Sequence, residues 1–376
     1  MANSEQMRQR LAMYNRNDFK IGLFGPNCSS GRAVTRVPER WSGSWADNLA
    51  LARMADEAGI DFLLPIGRWK GYGGETEYQG ATFETVTWAT GLLAKTSRIT
   101  VFATVHAPLL HPVMAAKEFS TADHIGEGRF GLNIVCGWND GEFAMFGAEL
   151  RDHAARYDYG QEWIDAIRMM WDRKDAFDID GRYIKLKGIR SEPKPFGGTR
   201  PMIMNAGASE TGQDFAVRNC DALFSTPRKE LPFEAFTDAV TRTKAQAASQ
   251  GRDIDVYSVG VITCRPTTAE AEDYHHHCII DSADWGAVDN ILTMRKVDFD
   301  ATPADELDRM RRHVAHGLGG TPIVGDPDQV AAGLAKFARA GVRGMGLSFV
   351  NYGSELPYFC DEVLPRLERM GLRETR

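Results

Sequence analysis

A chain of 376 residues with 43% hydrophobic and 25% charged residues buries a sizeable core, which excludes extended disorder and allows one α/β barrel with insertions. Its formal charge of -7 is spread along the chain without a basic stripe, so the electrostatic footprint of a nucleic-acid binder is missing. No run approaches the roughly 18 apolar residues of a membrane span, so no membrane partner is expected.

The N-terminal stretch MANSEQMRQRLAMYNRNDF is polar and has no apolar secretory segment. It predicts an arm over residues 1–18 and a cytoplasmic location. Eight apolar, β-branched runs then predict strands at Lys20 to Gly25, Phe62 to Ile66, Ile99 to His106, Phe130 to Cys136, Met202 to Ala206, Ala222 to Ser225, Val256 to Thr263 and Gly344 to Val350. Helical periodicity fills the intervals, as at Asn48 to Ala58, Phe83 to Leu93, Tyr159 to Trp171 and Phe233 to Ala248. This alternation predicts βαβ units around a parallel sheet, and eight units closing on themselves predict an α/β fold, a (β/α)8 barrel forming a single domain over residues 1–376.

Two stretches interrupt the alternation. Asp178 to Pro195 reads as an inserted hairpin (178–195) with Asp180-Gly181 as its turn. Residues 281–320 are polar, helical in part and Gly-rich at the end, and long excursions at barrel loops commonly cover a site, which makes this one a candidate lid.

Barrel sites lie at the carboxyl ends of the strands. Strand three ends in ATVHAP and strand four in NIVCGWNDGEF. Asn133 stands out because an amide in an apolar strand must find partners when buried. A purely structural role for it stays open, as it does for Thr104, a good strand former whose hydroxyl also bonds locally. His106 is a candidate general base, a pocket wall or a satisfied structural histidine. In NAGASETG, small residues admit a ligand to the backbone and Ser209 stands where a helix begins, suited to a phosphate or simply to an N-cap. Arg156 and Tyr157 in RYDYG are a second pair able to hold anionic oxygens, or ordinary solvated helix residues. Arg68, Trp69, Tyr72 and Trp138 are candidate substrate contacts, mixing aromatic walls with little charge, although each aromatic is equally a core candidate.

Several chemistries are disfavoured. The cysteines Cys28, Cys136, Cys220, Cys264, Cys278 and Cys360 have no CxxC spacing, which reads as reduced, mostly buried thiols. His275, His276 and His277 look like a metal tract, but consecutive helical residues diverge by about 100° and do not share one ion. GYGGET and GLGGTP lack the last glycine of the dinucleotide fingerprint, and no GxSxG, HExxH or P-loop is present.

The segment HPVMAAKEFSTADHIGEGRFGLNIVCGWNDGEF, His111 to Phe143, resembles the bacterial-luciferase-like FMNH2-dependent monooxygenases: a His-Pro-led helix, a D-x-x-x-x-G-R turn, then an N-x-V-x-G strand. The likeness extends over nearly the whole chain through RYDYGQEW, SEPKP, NAGASETG and GGTPIVGDPDQVA. IGRWKGYGGETEY, Ile66 to Tyr78, is similar to pyrimidine oxygenases, and GRAVTRVPERW, Gly31 to Trp41, to dimethylsulfone monooxygenases.

That resemblance implies FMN against Ile66, Gly67, Asn133, Glu142, Arg156, Tyr157 and Ser209, and O2 held by Thr104 and Asn133 beside flavin N5, with an N5-peroxide as oxidant. One departure is Gly67, where pyrimidine oxygenases are expected to carry a lysine; Arg68 is adjacent. The resemblance further implies a two-component enzyme, a homo-oligomer fed FMNH2 by a separate flavin reductase, that oxidises or cleaves a small, weakly charged N-heterocycle or amide. An organosulfur substrate, a deazaflavin-dependent oxidoreductase and a non-catalytic flavin-binding barrel are the alternatives.

Overall fold

The computed structural model describes residues 8, 11–228 and 230–374. Of the arm expected over 1–18, residues 1–7, 9 and 10 lie outside the described residues. The strands are β1 (Lys20–Phe24), β2 (Phe62–Leu64), β3 (Thr100–His106), β4 (Phe130–Val135), β5 (Phe177–Asp180), β6 (Lys185–Ile189), β7 (Met202–Asn205), β8 (Ala222–Phe224), β9 (Asp255–Cys264), β10 (Thr321–Gly325) and β11 (Gly344–Ser348). Hydrogen bonding runs in the order β10-β9-β11-β1-β2-β3-β4-β7-β8, and β9 also pairs with β8. That closed ladder is the expected (β/α)8 barrel, and all eight expected strands are in it.

Two compact units divide the chain. The first holds residues 84–225 and 239–256 and contains β3, β4, β7 and β8. Here β4 lies parallel between β3 and β7, with Asn133 opposite Thr104 on one side and Met204 on the other. Strand β3 is buried at every position, the continuous apolar signature of a parallel strand covered on both faces.

The inserted hairpin pairs β5 with β6 in this unit, but its turn differs from the expectation. Asp180 is still paired, with Lys185, and the chain reverses over residues 181–184, where Gly181 N–H donates to Ile184 O at 2.9 Å. The Glu162 carboxylate collects the N–H groups of Arg182, Tyr183 and Ile184 at 2.9–3.0 Å. A Cβ at Gly181 would sit 2.3 Å from Glu162 Oε2, so glycine at this position makes room for the carboxylate that caps the turn.

The second unit holds residues 16–83, 226–238 and 257–376. In it β1 pairs with β2 and β11, and β9 with β11 and β10, all parallel. Strand β10 was not anticipated; it pairs along β9 alone and carries Pro322, a residue that argues against a central strand and is tolerated at an edge. The excursion over 281–320 folds into helices Trp285–Met294 and Ala304–Ala315. Val288, Ile291, Leu292 and Val314 on these helices are buried in a cluster with Val34, Tyr72 and Tyr78. The segment is therefore more apolar in its packing than its composition implies, because its few hydrophobic residues recur on one helical face.

Candidate functional site

The pair singled out on neighbouring strands is brought together. The register sets Thr104 beside Asn133, and Asn133 Nδ2 donates to Thr104 Oγ1 at 3.2 Å. Both are buried. Thr85 Oγ1 donates to the Thr104 carbonyl at 2.8 Å, which fixes this part of β3. The amide nitrogen is turned to threonine, and Asn133 Oδ1 is a buried acceptor without a partner. Leaving such a group unsatisfied costs about 1–3 kcal/mol, so a ligand N–H has a reason to seek it. His106 closes the same strand and is buried.

Beyond β4 the chain turns at Gly137, whose φ of +103° favours glycine. Trp138 follows, 43% exposed, and Asn139 then caps helix Asp140–Met145 by accepting from Gly141 N at 3.1 Å and Glu142 N at 3.4 Å. The cap draws Glu142 into the interior. The next helix, His153–Asp172, begins earlier than its periodicity indicates because the Asp152 carboxylate accepts from Ala155 N at 2.9 Å. Arg156 and Tyr157 consequently stand at its start. Arg156 Nη1 donates to Gly137 O at 2.7 Å, while its Nε is buried and has no partner.

The loop after β7 brings the third component. Asn205 Nδ2 donates to Ile134 O and its Oδ1 accepts from Gly207 N, both at 2.7 Å, which ties this loop to β4. Ser209 caps helix Glu210–Asn219 through Gly212 N at 3.1 Å. A Cβ at Gly212 would lie 2.5 Å from the Tyr157 hydroxyl and 2.8 Å from Gly207 Cα, so glycine here admits the phenol to the helix start. Burial raises the Tyr157 pKa, which keeps the phenol neutral and a hydrogen-bond donor.

The end of β4, the start of helix His153–Asp172 and the loop after β7 line a cavity of about 440 Å³ whose walls include Cys136, Trp138, Arg156, Tyr157, Asn205 and Ser209, while Thr104, His106, Asn133 and Glu142 are not among its lining residues. No aspartate or glutamate lines it among the described residues. A helix N-terminus, one guanidinium and no carboxylate form a field suited to an oxyanion such as a phosphate. Burial pushes the Cys136 thiol up to about 12, so it is an inert wall and not a nucleophile.

The remaining candidates lie in the second unit. The Ile66 backbone is held at both ends by Asn27, whose Oδ1 accepts from its N–H at 2.8 Å and whose Nδ2 donates to its carbonyl at 2.9 Å. Gly67 follows, partly exposed, and Trp69 is 42% exposed. Arg68 lies over the Tyr72 ring, its guanidinium carbon 4.6 Å from the centroid, and Tyr72 stacks on Tyr78 at 5.9 Å. Tyr72 is thus built into packed core as well as into the Arg68 stack. The three histidines diverge: His275 bonds His316 at 3.0 Å and Thr263 at 3.2 Å, while His276 and His277 face Asp281. Burial depresses the His275 pKa to about 4. Sequence reasoning missed Asn205, although an amide ending an apolar strand repeats the Asn133 signal, and buried Arg32, which has no such signal.

A closed α/β barrel with an oxyanion-suited cavity at a strand's carboxyl end is the architecture of many ligand-using enzymes. Residues 19–344 match the family model described as luciferase-like monooxygenase, and the chain belongs to that family. It is 30% identical over 357 residues to an FMNH(2)-dependent dimethylsulfone monooxygenase of Pseudomonas fluorescens, covering 93% of this chain and 95% of that protein. It is 28% identical over 354 residues to the pyrimidine monooxygenase RutA of Acinetobacter baylyi, covering 92% and 94%. Among solved structures, a riboflavin lyase (RcaE) with modified FMN and riboflavin superposes with a TM-score of 0.84 at 22% identity, over 95% of this chain and 92% of that one. DmoA from Hyphomicrobium sulfonivorans gives 0.83 at 19%, over 94% and 89%. At those identities the structural matches speak for the fold.

Proposed function

We propose that this protein is the oxygenase component of a two-component flavin system, using reduced FMN and O2 to oxidise a small, weakly charged organic molecule. The observation that carries the reading is the cavity lined both by Arg156, with a buried unpartnered Nε, and by the Ser209 helix start, with no lining carboxylate among the described residues. Its donor set fits the phosphate of FMN. The names of the relatives, FMNH2-dependent dimethylsulfone monooxygenase and pyrimidine monooxygenase, support flavin and oxygen chemistry on this scaffold.

In this reading Arg156, Tyr157 and Ser209 hold the phosphate, and Asn133 Oδ1 accepts from a ring N–H of the flavin. Ile66, Gly67 and Glu142 are further proposed flavin contacts, carried by resemblance. Bound reduced flavin supplies the electrons that activate O2. Thr104 and Asn133 orient each other across β3 and β4, presenting uncharged polar groups from rigid strands at the spot proposed for O2. His106 is proposed to wall that spot or to move a proton at it. With no dinucleotide fingerprint in the sequence, NAD(P)H oxidation falls to a separate reductase. Arg68, Trp69, Tyr72 and Trp138 are proposed substrate contacts favouring a flat N-heterocycle or amide over an organosulfur compound.

The test combines the protein with FMN, an unrelated flavin reductase and NADH, then screens pyrimidines, pyridines, lactams and methyl sulfones for product carrying oxygen from O2. Turnover with reduced deazaflavin in the absence of O2, and none with FMN, would overturn the proposal.

A further inference from the structure

Three arginines among the described residues are buried: Arg32 at 7% exposure, Arg129 at 8% and Arg373 at 7%. Two are satisfied in full view. Arg129 donates to Leu93 O, Thr96 O, Thr96 Oγ1 and Ile99 O at 2.9–3.2 Å. Arg373 pairs with the Asp61 carboxylate at 2.5 Å and also reaches Phe19 O and Gly59 O. Arg32 is different. Its Nη2 donates to Gly317 O, its guanidinium carbon lies 4.6 Å from the Phe24 ring centroid, and its Nε is buried with no partner.

No counter-charge among the described residues compensates it. The ionisable groups with the largest influence on Arg32 are Tyr78, Tyr352, Tyr72 and Cys28. Burial holds Tyr78 and Tyr352 above the ordinary phenol range and pushes the Cys28 thiol up to about 11, so these three are neutral at pH 7. No ion pair forms at Arg32 among the described residues. A buried guanidinium without an anion is costly, since the desolvation of its charge is not repaid. Proteins keep such an arrangement where a ligand brings the missing charge.

The place suits a ligand. Arg32 stands in the segment following β1, on the carboxyl side of that strand, where barrel enzymes receive substrates. The residues over its outer end are backbone-rich: Gly317, Leu318 and Gly319 all have positive φ, and a Cβ at Gly320 would lie 3.7 Å from Arg32 Nη2. That strap offers the guanidinium a carbonyl and no carboxylate.

We propose that Arg32 is a specificity-determining residue that binds a single anionic oxygen group, a carboxylate or comparable oxyanion, as the one charge on an otherwise weakly polar small organic substrate, which narrows the weakly charged class proposed above to its mono-anionic members. Nε and an Nη present the planar fork that a carboxylate matches. That a substrate brings the anion rests on the flavin-oxygenase reading; the anion site itself does not.

The test uses the whole protein without flavin and two probes of matched shape, benzoate and benzamide, titrated by calorimetry. Wild type is expected to bind the acid more tightly by roughly tenfold or more, the worth of a charge-assisted hydrogen bond. Arg32→Gln is expected to abolish that difference, and Arg32→Lys to keep the preference in weakened form. FMN affinity, measured on the same samples, is expected to stay unchanged in both variants. If Arg32→Gln does not fold, the Lys variant decides: an acid-to-amide ratio equal to wild type overturns the proposal. Equal affinities in wild type, or no benzoate binding at all, overturn it too. An Arg32 that serves only as a strut to Gly317 would lower thermal stability and leave the ratio untouched. Failure of wild type to bind FMN, with the acid preference intact, would remove the flavin reading and leave the anion site standing.

Discussion

Replacing Arg156 with alanine tests the phosphate cradle most cleanly. The side chain spends one bond on Gly137 O at 2.7 Å and keeps a buried Nε without a partner. A charge-assisted bond from that fork to a phosphate oxygen is worth about 1.5–3 kcal/mol, so FMN affinity should fall by roughly 10- to 150-fold. Riboflavin has no phosphate, and its affinity should change by less than about threefold. Arg156→Lys retains charge without the fork and should fall between. The assay is fluorescence titration of both flavins against wild type and variants at two salt concentrations, since an exposed-rim charge effect would fade with salt. Equal losses for FMN and riboflavin would refute the assignment and recast Arg156 as a brace for the turn at Gly137. Ser209→Ala is the less discriminating change, because Ser209 also caps its helix through Gly212 N at 3.1 Å and the lost cap alone costs about 1 kcal/mol.

Other outcomes follow from the same geometry. Thr104→Val and Asn133→Leu should each suppress substrate oxygenation at least about tenfold while diverting flavin oxidation to hydrogen peroxide, the loss of one preorganised polar group; full coupling in either variant by peroxide assay would refute their role. Burial lifts the Asp123 carboxyl from 3.8 to about 7, so between those values the folded protein holds a proton that the unfolded chain has released. Stability should therefore fall as pH rises through that window, and Asp123→Asn, which mimics the protonated acid, should flatten the fall and raise Tm at pH 8; an unchanged Tm profile would contradict this. Light scattering at micromolar concentration should show a homo-oligomer, the proposal that rests on family resemblance, and a monomer would count against it. Thermal unfolding should be one cooperative transition if residues 1–376 are a single domain, and two resolved transitions would divide them.

The barrel was legible because its strands are apolar on both faces and separated by helices, a pattern that survives without knowledge of contacts. Boundaries drifted where a polar side chain decides them. Asp152 starts its helix before the apolar periodicity begins, and Glu162 shapes the hairpin turn from outside the hairpin. Strand β10 escaped notice because Pro322 speaks against a strand and only its position at an edge permits it. At the site, Asn133 and Ser209 declared themselves by local chemistry, an amide in an apolar strand and a hydroxyl at a helix start. Arg32 could not, since what distinguishes it is the absence of a carboxylate supplied by segments far along the chain.

The flavin-oxygenase reading is tested by turnover under ¹⁸O2 with FMN, NADH and an unrelated flavin reductase across the substrate screen. It predicts an O2-dependent product that carries one ¹⁸O atom and is lost when either FMN or the reductase is omitted. Product formed without O2, or with oxygen drawn only from water, would contradict it.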